Sequence, residues 1–327
     1  MYVEYYGLKD EPFLLTPDPR FYFDSSGHAQ ALAHLRYGIK RGEGFIVITG
    51  EVGAGKTTIV QHLCNTVDTT RVMPAHVVTT LLNGAELIRM FCAEFGIENS
   101  TETKDAALLR LRKHLERLHR ERRKPVLIVD EAQNLTAGAL EELRMISNFN
   151  VGRTSSCQIF LIGQPEFRKT LARPDLEQLR QRVTAVYHLG PMNDEECARY
   201  VMHRLKQAGW KDDPKFPDAA VLAIYAHTGG IPRRINTLCS RLLLLGYLED
   251  LHAFTAADVL RVATDLAEEY SDISPIDTGQ NLGQFDTSSV LSRLESMETR
   301  INRQEDSLRH IANGLVKMLD TRRADSD

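Results

Sequence analysis

An apolar run, Phe45-Ile46-Val47-Ile48-Thr49, leads straight into Gly50-Glu51-Val52-Gly53-Ala54-Gly55-Lys56-Thr57. No other stretch so narrows what the chain can fold into. A strand that enters a Gly-rich turn and leaves it as a helix makes a cradle for phosphate. Gly50, Gly53 and Gly55 let the backbone curl until its N–H groups point inward. The helix starting near Lys56 adds the positive end of its dipole. Lys56 then reaches the β- and γ-phosphates of a nucleotide, and the Thr57 hydroxyl ligates Mg²⁺. Glu51, Val52, Ala54 and Thr58 complete the wrapping segment. A chance match in a loop is the competing reading of so short a pattern.

A second motif answers that objection. Val126-Leu127-Ile128-Val129 reads as a buried parallel strand, and Asp130-Glu131-Ala132-Gln133 follows it. Asp130 falls at the carboxyl end of the strand, where open α/β sheets place their ligands. There it holds Mg²⁺ through water, and Glu131 polarises the attacking water as general base. An acidic helix cap after a strand would look similar. The separation of Lys56 from Asp130 leaves room for two βα units, which favours the paired reading: nucleotide binding and hydrolysis.

The 327 residues are 43% hydrophobic and 26% charged, enough for two or more domains with a sizeable core. A net charge of −4 gives no global basic footprint for nucleic acid. The first residues lack a basic and apolar leader, so no secretory signal is expected, and no apolar stretch is long enough to span a bilayer. The five cysteines stand apart in sequence, which suits free thiols in a reducing cytoplasm.

Along the chain, residues 1–43 comprise an aromatic and Pro-rich segment and then a helix over His28–Ile39 capped by Ser25-Ser26, together expected to pack on the nucleotide-binding core. Residues 44–190 alternate strands (Phe45–Thr49, Ala75–Thr79, Val126–Asp130, Gln158–Ile162, Thr184–Leu189) with helices that include Lys56–Val67, Gly84–Phe95 and Asp105–Arg122. That alternation predicts an α/β fold on a parallel five-stranded sheet. Residues 191–269 carry four helical stretches with Asn193, Pro217, Pro232 and Thr255 at their starts. Residues 270–286 read as a linker. Over 287–320, Leu294, Ile301, Leu308 and Leu315 recur every seven residues, and Val290, Met297, Gln304, Ile311 and Met318 fill the other seam position. That pattern predicts a coiled coil; an amphipathic helix docked on its own body is the other reading.

With these residues in view, the sequence resembles AAA+ P-loop ATPases of the general secretion pathway protein A family. Within it, the sequence is similar to the ATPase of exosortase/PEP-CTERM loci in exopolysaccharide-producing Gram-negative bacteria. The resemblance runs over roughly residues 1–268. It rests on Tyr5-Tyr6-Gly7-Leu8, Thr16-Pro17-Asp18-Pro19, the cradle through Thr58, Asp130 to Leu135, Leu161-Ile162-Gly163-Gln164-Pro165-Glu166 and Gly230-Ile231-Pro232-Arg233. It implies ATP as the nucleotide and a helical lid over residues 191–269. It also implies Gln164 as a sensor of the γ-phosphate or its water, and Arg233 as a second sensor on the lid. Arg182 or its rival Arg180 would be a finger that crosses to a neighbouring subunit. Where secretion-pathway relatives often carry a transmembrane segment and a peptidoglycan-binding module, this sequence carries the linker and heptads.

The partners implied are further copies of the chain, through the finger and the coiled coil, and a membrane-associated export or secretion protein. The protein is then cytoplasmic, or peripheral at the inner membrane through that partner. A DNA-dependent ATPase of the transposition target-selection type is the alternative. Its support is the crowd of Arg110, Arg112, Lys113, Arg117, Arg120, Arg122, Arg123 and Lys124 on one helical stretch, although a leucine stripe on that stretch makes a solvated charged face the plainer account. A nucleotide-dependent scaffold without turnover is disfavoured by Glu131.

Overall fold

The computed structural model describes residues 1–273 apart from 17, 80–81, 99–102 and 152–153. Five parallel strands form one sheet: β1 (Phe45–Gly50), β2 (Val72–Val78), β3 (Lys124–Asp130), β6 (Gln158–Gly163) and β7 (Val183–Leu189), in the order β2-β3-β6-β1-β7. Two short antiparallel strands, β4 (Asn150–Val151) and β5 (Thr154–Ser155), make a separate hairpin. Side chains alternate across the sheet as a strand's period of two requires. Phe45, Val47, Leu127, Val129, Ile159 and Leu161 enter one core, and Ile46, Ile48, Val126, Ile128, Phe160 and Ile162 enter the other. Both faces are therefore covered, which is why β1, β3 and β6 read as continuous apolar runs.

Helices α2 (Ser26–Arg41) and α3 (Lys56–Thr66) cover one face with Ala31, Leu32, Leu35, Ile59, Val60 and Leu63. Helices α4 (Gly84–Glu94), α5 (Lys104–Arg120) and α6 (Ala137–Ser147) cover the other, with the short α7 (Glu166–Leu171) and α8 (Glu177–Arg180). Side-chain caps fix several starts: Ser25 accepts from the His28 N–H, and Asn83 and Glu86 form a reciprocal capping box. On α5, Leu111, Leu115 and Leu118 are buried. That helix stops at Arg120, so Arg122, Arg123 and Lys124 lie in the turn and at the start of β3 rather than on one basic helix.

The strands depart from expectation at one informative place. β2 begins at Val72 and includes Pro74. Proline has no N–H to give a ladder, but β2 is an edge strand paired only with β3, so one side needs no donor.

After β7 the chain is helical: α9 (Asp194–Gln207), α10 (Asp218–Thr228), α11 (Pro232–Leu248) and α12 (Ala256–Ile273). Residues 270–273, expected to open a linker, belong instead to α12, which runs to Ile273; the rest of the expected linker lies outside the described residues. Nothing between Glu269 and Ile273 breaks a helix. The heptads of 287–320 lie outside the described residues.

The N-terminal aromatic segment also corrects an expectation. It opens with a one-turn helix, α1 (Tyr2–Tyr5), and Tyr6, Leu8 and Phe13 join the core of the helical segment, not the cores of the sheet. The reason is polar as well as apolar. Buried Arg204 on α9 donates to the carbonyls of Pro12 and Leu14 and to the Tyr200 hydroxyl, and its guanidinium lies 4.9 Å from the Phe21 ring centroid. Asn236 on α11 donates to the same Leu14 carbonyl. Replacing Arg204 by Met keeps its bulk but strands those acceptors. The expected cost is about 1.5–3 kcal/mol, the range for hydrogen bonds to a charged group, read from the urea midpoint at unchanged slope.

Candidate functional site

β1 delivers Gly50 to the carboxyl edge of the sheet, and the loop to Gly55 wraps back onto the start of α3. Gly53 and Gly55 sit at φ +83° and +94°, a region that side chains rarely occupy. Neither position has room for a Cβ. At Gly53 it would meet the Cβ of Arg233 at 2.4 Å, and at Gly55 the Nε2 of His28 at 2.5 Å. The loop is thus pressed from one side by α11 and from the other by α2.

Lys56 is buried and donates to the carbonyls of Gly50 (2.8 Å) and Glu51 (3.0 Å). Burial lowers its pKa, and the carboxylates of Glu131 and Asp130 oppose that shift. Thr57 Oγ1 donates to Asp130 Oδ2 at 2.6 Å. Burial of Asp130 works to raise its pKa but is outweighed by His76, Thr57 and the Glu131 N–H, so the carboxyl stays below its ordinary range. His76 Nε2 lies 3.9 Å from Asp130 Oδ2 and is buried without a hydrogen-bond partner. The Thr57 hydroxyl and the Asp130 carboxylate, held below its ordinary pKa, are oxygen donors that fit an Mg²⁺ ion with its waters, for which such donors and retained water are the rule.

Glu131 adopts the left-handed conformation at φ +55°. Thr79, at the end of β2, fixes that turn by donating to the carbonyls of both Asp130 (2.9 Å) and Glu131 (2.8 Å). The Glu131 carboxylate accepts from Gln133 Nε2 at 2.6 Å and from Gln164 Nε2 at 3.3 Å. Pairing of β3 with β6 and of β6 with β1 is what brings Asp130, Gln164 and Gly50 to one edge.

A cleft of about 330 Å³ opens here. Gly53, Gly55, Lys56, Thr57, Thr58, Glu131 and Arg233 line it, so α11 brings its arginine to the loop, where the Arg233 N–H also donates to the Gly53 carbonyl at 3.1 Å. Arg180 and Arg182 do not reach it. Both are exposed; Arg180 donates to the carbonyls of Leu171 and Ala172, and Arg182 to the carbonyl of Ser147. The far wall was not legible in the motifs. It is built from Leu14 to Thr16, Phe21 to Phe23 and His28, with Tyr200, Arg204 and Asn236 behind them. Tyr22 stacks on His62 of α3 at 3.8 Å. Only the density of aromatics before the first helix hinted at this wall.

A deep, partly apolar cleft against a glycine loop, a buried lysine and two carboxylates suits a nucleoside triphosphate and its hydrolysis. With strand order β2-β3-β6-β1-β7 and a helical segment placing an arginine on the loop, fold and site define an AAA+ P-loop ATPase. Residues 39–171 match the AAA domain family. The chain is an AAA+ ATPase related to general secretion pathway protein A of Aeromonas hydrophila, with which it is 37% identical over 271 residues. The match takes in 82% of this chain and 49% of that protein, so the chain spans about half the length of its relative. Among solved structures, the Aeropyrum pernix ORC2 protein in ADPNP–ADP complexes is similar with a TM-score of 0.62 at 17% identity, covering 82% of this chain and 75% of that one. Cdc6p from Pyrobaculum aerophilum is similar at 0.61 and 16%, covering 80% and 75%. These two likenesses show the fold.

His28 offers a direct test of the cradle's packing. Its imidazole is buried, with Nδ1 2.6 Å from Ser25 Oγ, and burial pushes its pKa below the ordinary 6.5. The unfolded chain therefore binds a proton near pH 6.5 that the folded state refuses. Stability is lost as pH falls below 6.5 and levels once the folded-state pKa is passed. In His28→Gln the melting temperature should fall less steeply with pH across that window. The other histidines are common to both proteins, so the difference between the two melting curves isolates His28.

Proposed function

We propose that this chain is an oligomeric ATPase whose cycle of nucleotide binding and hydrolysis drives assembly or remodelling of a membrane-associated export, secretion or exopolysaccharide system. The observation that carries the hydrolytic part is the convergence of Lys56, Thr57, Asp130, Glu131 and Gln164 on one cleft edge. The relation to general secretion pathway protein A supports the setting.

In this reading the β- and γ-phosphates of ATP lie in the loop from Gly50 to Thr58, against the backbone N–H groups and the start of α3. Lys56 turns from its own loop carbonyls to the phosphates. Thr57 and Asp130 would hold Mg²⁺, which supplies positive charge to the phosphate oxygens. Glu131 takes the proton of the attacking water, and Gln164 orients that water. Arg233 answers the γ-phosphate from the lid formed by residues 191–269, so that hydrolysis and lid position are coupled. Tyr22 and the segment around it close the opposite end of the cleft. Arg182, with Arg180 as its rival, serves a neighbouring copy; exposure away from its own cleft is what such a role requires. The heptads of 287–320 join copies or engage the partner. No helix among the described residues is long and apolar enough to cross a membrane, which suits attachment through a partner.

The DNA-dependent alternative loses ground on α5. Arg112 and Arg120 pair with Glu116, and Arg117 pairs with Glu121. Arg123 donates to the Thr69 carbonyl, and Lys124 to those of Ile39 and Lys40. Much of this positive charge is engaged within the fold.

The purified chain should hydrolyse ATP in the presence of Mg²⁺, and Glu131→Gln should lower kcat by about 10²–10⁴-fold, the usual share of a general base. Duplex DNA should leave the rate unchanged; a tenfold rise at low salt would move the reading to the DNA-dependent class. Arg182→Ala and Glu131→Gln proteins, each impaired alone, should recover activity when mixed, because each supplies what its neighbour lacks. No recovery for Arg182→Ala or Arg180→Ala would remove the trans finger.

A further inference from the structure

The side chain of Gln133 is unused in the mechanism above, and it is tied more tightly to Glu131 than any other group is. Glu131 and Gln133 flank Ala132 on a single turn of 3₁₀ helix after β3. The left-handed backbone of Glu131 turns its carboxylate over that turn, where Gln133 Nε2 donates to Oε2 at 2.6 Å. The other end of the same amide, Oε1, accepts the backbone N–H of Gln164 at 2.9 Å. One planar group thus bridges the ends of β3 and β6. Gln164 completes the triangle with its own Nε2, 3.3 Å from the same Glu131 oxygen.

The geometry divides the Glu131 carboxylate. Oε2 is occupied by two amide donors, whereas Oε1 receives no hydrogen bond among the described residues. Glu131 also lines the cleft. A general base needs one oxygen held and one free lone pair aimed at water. An amide suits the position of Gln133, because it donates to a carboxylate at one end and accepts an N–H at the other. A carboxylate there would lose the donor and repel Glu131, and an apolar isostere would lose both bonds. Gly163 makes room for the bridge, because a Cβ there would stand 3.1 Å from Gln133 Oε1.

We propose that Gln133 is a positioning residue that fixes the rotamer of Glu131 and locks it to the Gln164 strand end. Movement at Gln164 is then transmitted to the base through a rigid amide. The inference rests on Glu131 being the base.

The test is steady-state ATP hydrolysis by the full chain, together with binding of a fluorescent ATP analogue, for wild type, Gln133→Met, Gln133→Glu and Glu131→Gln. The expected result is a fall in kcat of about 10–10²-fold in Gln133→Met, as for a reacting group misplaced by a fraction of an ångström, with KM and analogue affinity within about twofold of wild type. Gln133→Glu should be no better, although it matches the native size, and both should melt near the wild-type temperature. A Gln133→Met protein with wild-type kcat beside an inactive Glu131→Gln overturns the inference and leaves the hydrolytic reading standing. So does a loss confined to KM or to melting temperature in both Gln133 variants. If Glu131→Gln hydrolyses ATP at the wild-type rate, the underlying reading fails and takes this one with it.

Discussion

Everything at the site depends on the parallel pairing of three buried strands. β6 lies between β1 and β3, with Thr49 opposite Gly163 and Val129 opposite Leu161. That register sets three chain turns side by side at one edge: the glycine loop, the Asp130-Glu131 corner and the Gln164 end. Parallel strands place all their carboxyl ends together, so chemistry from distant parts of the sequence is collected without any loop having to reach far. The cost is that no strand can follow its neighbour directly; each crossover needs a helix, and those helices form the two outer layers.

The electrostatics follow from that crowding. A buried ammonium and two carboxylates share a small, poorly solvated space. Burial weakens the charged form of Lys56, and the neighbouring carboxylates restore it. The lysine is satisfied by loop carbonyls, and Asp130 accepts from the Thr57 hydroxyl. Glu131 differs: its side-chain partners, Gln133 and Gln164, belong to a bridge between strand ends that a nucleotide need not break.

The wall opposite the loop has another origin. Leu14 to Phe23 are held by Arg204, Tyr200 and Asn236 of the helical segment, whose core also takes up Tyr6 and Phe13. The cleft is therefore bounded by residues from the N-terminal segment as well as by α9 and α11, and hydrogen bonds from Arg204 and Asn236 tie that segment to the two helices.

Local pattern alone made much of this legible. The apolar runs of β1, β3 and β6 announce strands buried on both faces. The glycines between Gly50 and Gly55 announce a turn no other residue could make, and the caps at Ser25, Asn193 and Pro232 announce helix starts. These features are written in neighbouring residues because backbone conformation is a local property. The sequence pattern starts this strand at Ala75, after Pro74, because an edge position cannot be known before the sheet is assembled. The seating of Tyr6 and Phe13, the orphan nitrogen of His76 beside Asp130, and the bridge from Gln133 to Gln164 were likewise invisible. Each depends on which residues meet across long stretches of chain, and that is settled by packing and buried hydrogen bonds. The sequence by itself determined the glycine loop, the acidic corner and the parallel α/β class. Only the tertiary structure decided what closes the cleft and what holds the Glu131 carboxylate, because those contacts join segments that share no local pattern.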